Sequence, residues 1–264
     1  MLEREELEIL RRSFSKLVDN RIPFSEDTRL LQTNLGLSVH GCTLIRKSPS
    51  DLVMQKHLSK FEIQRFTKFK HDGRRMQYYV GRVLAKRCLQ DVWERDSIKY
   101  QEITVKNDSE GRPFFNFKDS EVSFEGAASI SHKGEYLVAA CIREGDIGLD
   151  IEKQTSHSGL ARRIAKNHTE MDISRITNLM MKSHPDFNLK FAHTAIWSAL
   201  EAGYKATSSL QSKSPLEFKL SVERERITVA PLTEQSLLGI PVFFVHNMDY
   251  LLTLAVQSSR NSRI

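Results

Sequence analysis

The sequence lacks a long hydrophobic segment and a recognisable secretion signal. Its longest uninterrupted apolar run, from Tyr136 to Ile142, is far shorter than the roughly 20 residues of a membrane-spanning helix. The first residues, MLEREELEIL, carry acids where a secretion signal would have basic residues followed by an apolar core. We therefore expect a cytoplasmic protein without a membrane segment.

Cysteine is also scarce. The three cysteines, Cys42, Cys88 and Cys141, are widely separated, which is typical neither of a disulfide framework nor of a cysteine-ligated metal site. The remaining composition, with 27% charged and 40% hydrophobic residues, is that of an ordinary globular protein. With 264 residues, the chain can form one large domain or two small ones.

The net charge of +6 favours an anionic partner without identifying it. Nucleic acid, an acidic protein and a phosphorylated small molecule are all compatible with this charge. The sequence has no zinc finger, no aromatic RNA-binding strand motif and no basic-region zipper. A nucleic-acid ligand is therefore the least favoured of the three.

Apolar periodicity and turn residues predict a mixed α/β protein. We interpret residues 1–34 as a separate helical extension, because Pro23 and its polar neighbours end the first helical pattern. Helices are predicted over residues 3–18, 50–70, 74–89, 158–179 and 193–208. Strands are predicted over residues 35–45, 135–143, 217–222, 226–229, 241–245 and 251–256, and in the segment around Asp150.

Two segments of the chain resemble each other. Residues 35–40 read Leu-Gly-Leu-Ser-Val-His and residues 147–152 read Ile-Gly-Leu-Asp-Ile-Glu, and each precedes a loop and two predicted helices. This indicates a duplicated αβ unit, although so short a match also arises by chance. If the halves are copies, only the second carries acids, because Ser38 and His40 take the places of Asp150 and Glu152.

The acids of the second segment predict a cation site. Alternate strand residues share a face, so Asp150 and Glu152 project together, and buried carboxylates need a cationic partner. On the helix at 193–208, Trp197, Glu201 and Lys205 follow one another at helical spacing. Glu201 and Lys205 alone could be a solvated ion pair. Three carboxylates beside a lysine suit Mg²⁺ that also holds phosphate oxygens.

Four motifs occur in a fixed order along the chain. They are Gly-Arg-Pro at 111–113, Ile-Ser-His-Lys-Gly at 130–134, Ile-Gly-Leu-Asp-Ile-Glu at 147–152 and Trp-Ser-Ala-Leu-Glu-Ala at 197–202 with Lys205. They resemble the motifs of the Sfp-type 4′-phosphopantetheinyl transferases, which read Gly-Lys-Pro, Ser-His-Ser-Gly, Gly-x-Asp-x-Glu and Trp-x-x-Lys-Glu-Ala-x-x-Lys. The resemblance covers roughly residues 35–256.

This resemblance implies a fold and a reaction. The fold would be two similar αβ subdomains, 35–146 and 147–264, in a pseudo-twofold arrangement within a monomer, with coenzyme A bound between them. The reaction would move 4′-phosphopantetheine from coenzyme A to a serine of an acidic acyl or peptidyl carrier protein and release 3′,5′-ADP. Carriers of this kind serve fatty acid, polyketide and nonribosomal peptide synthesis.

The resemblance also implies the site residues. Asp150, Glu152 and Glu201 would hold Mg²⁺, and either Glu201 or a metal-bound water would take the serine proton. Lys205 would neutralise phosphate charge, and His132 would contact the 3′-phosphate. The residues implied in coenzyme A binding are Lys60, Arg65, Arg74, Arg75, Arg112, Ser131, His132 and Lys205.

The chain departs from the family pattern before the catalytic acid. Leu200 stands where the family has a lysine that contacts the pyrophosphate, and a leucine cannot make that contact. Lys133, in place of the usual serine, is a candidate for compensation. The departure supports an alternative reading, a non-catalytic relative that binds coenzyme A or a carrier protein. We favour the transferase because all three acids are present.

Overall fold

The computed structural model describes residues 36–43, 49–93, 98–118, 124, 126–153, 158–183, 187–207, 214–223, 226–232, 239–246 and 250–257. The helix predicted over residues 3–18 lies outside this set. Contacts divide the chain into two compact units, Met1–Glu144 and Gly145–Ile264. Both units contain helices and strands, so the prediction of a mixed α/β protein is confirmed.

The first unit packs a long helix on a three-stranded antiparallel sheet of order β1-β5-β4, beside a β2–β3 hairpin. The apolar face of the long helix, α3, lies on the sheet, with Leu84 and Cys88 fully buried. The elements are β1 (Leu37–Thr43), α1 (Asp51–His57), α2 (Lys60–Thr67), α3 (Asp72–Trp93), β2 (Ile103–Asn107), β3 (Pro113–Phe117), β4 (Ala127–Lys133) and β5 (Tyr136–Ile142).

The single helix predicted over residues 50–70 is two helices, α1 and α2. Ser59 begins α2 as its N-cap: its hydroxyl accepts from the Glu62 amide at 3.3 Å, and Glu62 accepts from the Ser59 amide at 2.8 Å. This reciprocal capping satisfies amides at the start of the new helix. The sequence analysis also made no strand prediction for β2, β3 and β4.

Glu62 then links three elements of the first unit. It forms a fully buried ion pair with Lys86 of α3 at 2.5 Å, and its other oxygen accepts from the Val105 amide of β2 at 2.9 Å. Lys86 also donates to the His57 carbonyl at 2.8 Å. A buried ion pair is tolerated when its remaining groups are hydrogen-bonded in this way. The contacts fix α2, α3 and β2 relative to one another.

The second unit packs helices on a five-stranded antiparallel sheet of order β6-β10-β9-β8-β7. The strand that carries the predicted acids, β6, lies at one edge of this sheet. The elements are β6 (Asp146–Lys153), α4 (Ser158–Ile164), α5 (Glu170–Ser183), α6 (Ala192–Ala206), β7 (Phe218–Glu223), β8 (Arg226–Pro231), β9 (Ile240–His246) and β10 (Tyr250–Gln257).

Two glycines bring α6 close to this sheet. A Cβ atom on Gly148 of β6 would lie 1.8 Å from the Ala202 carbonyl oxygen and 2.6 Å from the Ala206 nitrogen. A Cβ atom on Gly203 of α6 would lie 2.5 Å from a Val229 methyl group of β8. Only hydrogen fits at either position, so the backbone of α6 rests directly on the sheet.

Two expectations from composition concern cysteines and membrane helices. All three cysteines are buried free thiols. Among the helices that the structure describes, none is long and apolar enough to cross a membrane.

We expect Gly148→Ala to destabilise the protein. The added methyl would meet backbone atoms of α6, which cannot turn away as a side chain can, so the free energy of unfolding should fall by about 3 kcal/mol. Gly159→Ala in α4 is the matched control, because a Cβ atom there meets nothing within 4 Å, and it should change stability by less than about 1 kcal/mol. Urea unfolding measures both, and equal stabilities would contradict the close approach.

Candidate functional site

The site is built around the carboxylate of Asp150 on β6. This side chain is buried, at 7% exposure, and its Oδ1 atom lies 2.9 Å from the Lys205 ammonium of α6. Its Oδ2 atom accepts a hydrogen bond of 2.9 Å from the Ser198 hydroxyl. Because α6 lies so close to β6, two residues of one helix reach the same carboxylate.

Glu201 lies on the same helix, one turn before Lys205. Its Oε2 atom is 3.8 Å from the Lys205 ammonium, and the two side chains are about one-quarter exposed, at 26% and 27%. The ammonium also donates to the Leu149 carbonyl at 3.1 Å. The Lys205 ammonium therefore lies between the buried Asp150 carboxylate and the half-buried Glu201 carboxylate. The Glu201–Lys205 pair is partly buried and is not a solvated surface pair.

Glu152 follows Asp150 at alternate spacing on β6. Its side chain is half-buried, with the Oε2 atom buried. Within the described ranges, no group of three or more histidine, cysteine, aspartate or glutamate side chains is arranged to hold a metal ion. The predicted three-carboxylate ligand set therefore stays a prediction, whereas Asp150 and Glu201 meet at one ammonium.

Ser198 is a site residue that the sequence reasoning missed. Its side chain is fully buried and bonds Asp150 as described above. Ser198 precedes Lys205 by two helical turns, so the same spacing argument that joined Glu201 to Lys205 also places Ser198 nearby. A serine within an apolar helix carries no charge signal, however, and only the structure shows its partner.

The other predicted phosphate contacts belong to the first unit. Ser131 and His132 are neighbours on β4, where Ser131 is buried and His132 is exposed, so their side chains face opposite sides of the strand. Arg112 is half-buried in the turn between β2 and β3.

The basic residues predicted from the first helix pair are distributed over two helices. Lys60 and Arg65 are exposed on α2, and Arg74 is exposed in the first turn of α3. Arg75 is half-buried and already engaged, because it donates to the Phe69 carbonyl at 2.8 Å and to Asp72 at 3.2 Å. These bonds order the start of α3.

In the first unit, Ser38 and His40 lie at the sequence positions that match Asp150 and Glu152 of the second unit, and they take part in a polar contact. There, Ser38 of β1 donates to Asp91 of α3 at 3.0 Å, and His40 contacts the same carboxylate oxygen. Burial opposes the charged form of His40, but the hydrogen bond to Asp91 together with the negative charges of Cys88 and Asp91 outweighs burial and raises the pKa of His40. Burial also opposes the charge of Asp91, and His40 lowers the pKa of that carboxyl. In the first unit, the strand therefore supplies the basic group and the helix supplies the carboxylate. In the second unit, the strand supplies the carboxylate and the helix supplies the ammonium.

Leu200 lies in the hydrophobic core of the second unit at 1% exposure. The sequence analysis treated this position as one that could face the pyrophosphate. The structure corrects that view, because one residue along a helix turns the side chain by about 100°, from the face of Glu201 into the core.

Comparison with known proteins covers both sequence and structure. Residues 48–144 match the family described as 4′-phosphopantetheinyl transferase, N-terminal. A holo-(acyl-carrier-protein) synthase of Streptococcus equi subsp. zooepidemicus is 34% identical over 94 residues, which are 34% of this chain and 75% of that protein. The synthase of Petrotoga mobilis is 31% identical over 96 residues, 34% of this chain and 80% of that protein.

A solved structure was also matched. The crystal structure of the Thermotoga maritima holo-(acyl-carrier-protein) synthase has a TM-score of 0.34 and 18% sequence identity, over 49% of this chain and 74% of that chain.

Leu200→Lys should destabilise the protein. An ammonium placed among apolar side chains has no counter-charge there, and such a change costs about 3–5 kcal/mol. Leu200→Met, which keeps the volume and the apolar character, should cost less than about 1.5 kcal/mol. Thermal unfolding compares the two variants. A lysine variant as stable as the native chain would place position 200 at the surface and restore the earlier view.

Proposed function

This chain belongs to the 4′-phosphopantetheinyl transferase family, and from that premise we propose the reaction that it catalyses. It transfers the 4′-phosphopantetheine group of coenzyme A to a serine of an apo acyl or peptidyl carrier protein, with Mg²⁺ as the metal, and releases 3′,5′-ADP. The observation that carries the proposal is the buried Asp150 carboxylate, which shares one ammonium with Glu201.

The chemistry of the oxygen donors around Lys205 supports the proposed Mg²⁺. This ion prefers carboxylate oxygens and is often bound through one or two carboxylates together with substrate phosphates. Asp150 and Glu201 already flank a cation, the Lys205 ammonium, and Glu152 lies two residues along the same strand. Asp150, Glu201 and Glu152 would hold the metal. When bound, it would neutralise negative charge on the pyrophosphate of coenzyme A.

Glu201 is the proposed base. It is partly exposed, so a serine hydroxyl can approach it, and it accepts the serine proton. The serine oxygen forms a bond to the phosphorus that carries pantetheine. The bond from that phosphorus to the bridging oxygen breaks, and 3′,5′-ADP leaves with the electron pair.

Lys205 is the proposed electrostatic partner of the leaving group. Its ammonium is held by Asp150 and by the Leu149 carbonyl, so its position is fixed before the substrate binds. Charges that are fixed in advance stabilise developing phosphate charge without further rearrangement. Ser198 acts through Asp150, because its hydrogen bond fixes the orientation of that carboxylate.

The remaining coenzyme A contacts are proposed from the family pattern. Arg112 would lie near the adenine, and Ser131 and His132 would bind phosphate, with His132 on the 3′-phosphate. The exposed Lys60, Arg65 and Arg74 are available to the same anion, whereas Arg75 is occupied by bonds to the Phe69 carbonyl and to Asp72. We also propose a cytoplasmic monomer.

The alternative, a non-catalytic relative, rests on Leu200 in place of a lysine that contacts phosphate. That departure stands, because Leu200 is a core residue and makes no such contact. The acids and the lysine of the site are all present, so we retain the transferase as the one proposed function.

Glu201→Gln should abolish transfer while leaving the fold intact. The amide keeps the volume of the side chain but cannot accept the serine proton, so kcat should fall at least about a hundredfold. Intact-mass analysis of an apo carrier protein, incubated with coenzyme A and Mg²⁺, measures the transfer. Glu170→Gln, on the exposed start of α5, is the control and should keep native activity. Near-native transfer by Glu201→Gln would assign the base to another group.

Ser198→Ala should weaken metal binding. Loss of a residue that orients a ligand typically costs 10- to 100-fold in metal affinity, so we expect at least about a tenfold higher Kd for Mn²⁺, followed by electron paramagnetic resonance without coenzyme A. Thr253→Val is the control: Thr253 is the cross-strand neighbour of Asp150, and its buried hydroxyl has no hydrogen-bond partner among the described residues. Equal affinities in both variants would show that Ser198 has no part in the metal site.

A further inference from the structure

Two thiols face each other in the core of the first unit, and neither belongs to the candidate site. Cys88 of α3 and Cys141 of β5 are both fully buried. The Cys88 thiol donates to the Ala139 carbonyl of β5 at 3.3 Å, and the Cys141 thiol donates to the Ala85 carbonyl of α3 at 3.6 Å. Each sulfur therefore rests on the backbone of the element that carries the other sulfur.

The spacing of these residues explains the crossed bonds. Ala139 and Cys141 are alternate residues of β5, so they share one face of the strand. Ala85 and Cys88 are three residues apart on α3, so they share one side of the helix. All four residues have no exposed surface, because they lie where the helix covers the sheet. A disulfide requires two cysteines whose side chains already face each other, and the crossed bonds give these two that arrangement.

Polar groups of β1 and α3 lie beside Cys88. Burial opposes the Cys88 thiolate, but the hydrogen bond from the Cys141 thiol and the charge and backbone amide of His40 outweigh burial and lower the pKa of Cys88. Asp91, which lies one turn further along α3, acts on Cys88 in the opposite sense and is hydrogen-bonded to His40. Cys88 thus lies among groups that stabilise a thiolate.

Cys141 has the opposite character. Burial raises the pKa of Cys141 well above the usual range of a thiol, and the hydrogen bond that it donates to Cys88 raises it further. The pair therefore combines a thiol that favours the reactive thiolate with one that keeps its proton. Redox-active cysteine pairs have this asymmetry, since one thiol meets the oxidant and its neighbour resolves the product.

A thin polar layer separates Cys88 from solvent. The side chains of His40 and Asp91 are 17% and 29% exposed, and β1, which carries His40, is the edge strand of the three-stranded sheet. Edge elements with few buried contacts open locally at a lower free-energy cost than a core does. This route admits a molecule as small as hydrogen peroxide and excludes an oxidant of protein size.

We propose that Cys88 and Cys141 are an oxidation site at which hydrogen peroxide forms a reversible disulfide between α3 and β5. The Cys88 thiolate attacks one peroxide oxygen, the O–O bond breaks, and hydroxide leaves Cys88 as a sulfenic acid. The Cys141 sulfur then bonds to the Cys88 sulfur, and the sulfenic oxygen leaves as water with the Cys141 proton. Hydroxide takes up the proton that Cys88 released.

The electrons and atoms of this step balance. The two thiols lose two electrons and two protons, and one peroxide becomes two waters. A small thiol such as dithiothreitol reverses the reaction by thiol–disulfide exchange. The proposal is independent of the proposed function, because it uses no residue of the candidate site.

The disulfide would tie the long helix to its sheet. It closes a loop that contains β2, β3 and β4, and closing a long loop stabilises the folded state, chiefly by restricting the unfolded chain. Oxidation should therefore raise the midpoint of thermal unfolding by about 5 °C.

The test is oxidation of the folded full-length chain with hydrogen peroxide, followed by denaturation, alkylation of the remaining thiols and peptide mapping by mass spectrometry. We expect one intramolecular Cys88–Cys141 cross-link and an alkylated Cys42. Cys42 is the internal control, because it is buried in the same core and burial raises its pKa to about 12. Dithiothreitol should restore three alkylated cysteines.

Three variants separate the roles of the groups. Cys141→Ala should stop at the Cys88 sulfenic acid, which dimedone traps, and Cys42→Ala, the matched control, should form the cross-link at the native rate. His40→Gln should slow cross-linking about tenfold, since the charge that favours the Cys88 thiolate is lost. Thermal unfolding shows which variants are folded, and the peptide map of the native chain decides the proposal without them.

The contrary results are distinct. Three alkylated cysteines after oxidation of the native chain would show that Cys88 and Cys141 only fill the core and would overturn the proposal. A cross-link that involves Cys42, or one between two chains, would overturn it as well. Cross-linking at the native rate in folded His40→Gln would contradict the activation of Cys88 by His40. A chain that forms the disulfide but modifies no carrier would overturn the proposed function alone.

Discussion

The close contact between α6 and β6 is the constraint on which the site depends. It exists because Gly148 has no side chain and lets the Ala202 carbonyl lie where a Cβ atom would be. At that separation, Ser198 and Lys205 both reach Asp150 on the strand. A wider gap would leave a buried carboxylate without these partners, which is costly. Gly148, two residues before Asp150, thus has a geometric role: it lets α6 come close enough to β6 for Ser198 and Lys205 to reach Asp150.

The two units use related polar contacts for different ends. In the first, His40 and Asp91 join the edge strand to the long helix, and the contact raises the pKa of the imidazole and lowers that of the carboxyl. In the second, the strand holds the acid and the helix the ammonium. Only the second arrangement brings two carboxylates, Asp150 and Glu201, to one ammonium. The proposed function therefore assigns the catalytic acids to the second unit.

The sequence predicted the charged core of the site and missed its neutral parts. Glu201 and Lys205 follow from helical spacing, and Asp150 from strand alternation, because charges within apolar patterns stand out. Ser198 was missed since a serine in a helix has many possible roles. The break at Ser59 depends on Glu62, which looks like a surface acid in the sequence but is buried against Lys86. The orientation of Leu200 was predicted wrongly, because an alignment gives the position of a residue in the sequence but not the face of the helix on which its side chain lies.

The cation position between Asp150 and Glu201 is the central claim. It is tested most directly by a crystal structure of the chain grown with coenzyme A and Mn²⁺, using the anomalous signal of the metal. We predict one Mn²⁺ peak between these carboxylates, bound also to a phosphate oxygen of coenzyme A. Coenzyme A bound without such a peak, or a peak away from both Asp150 and Glu201, would contradict the account.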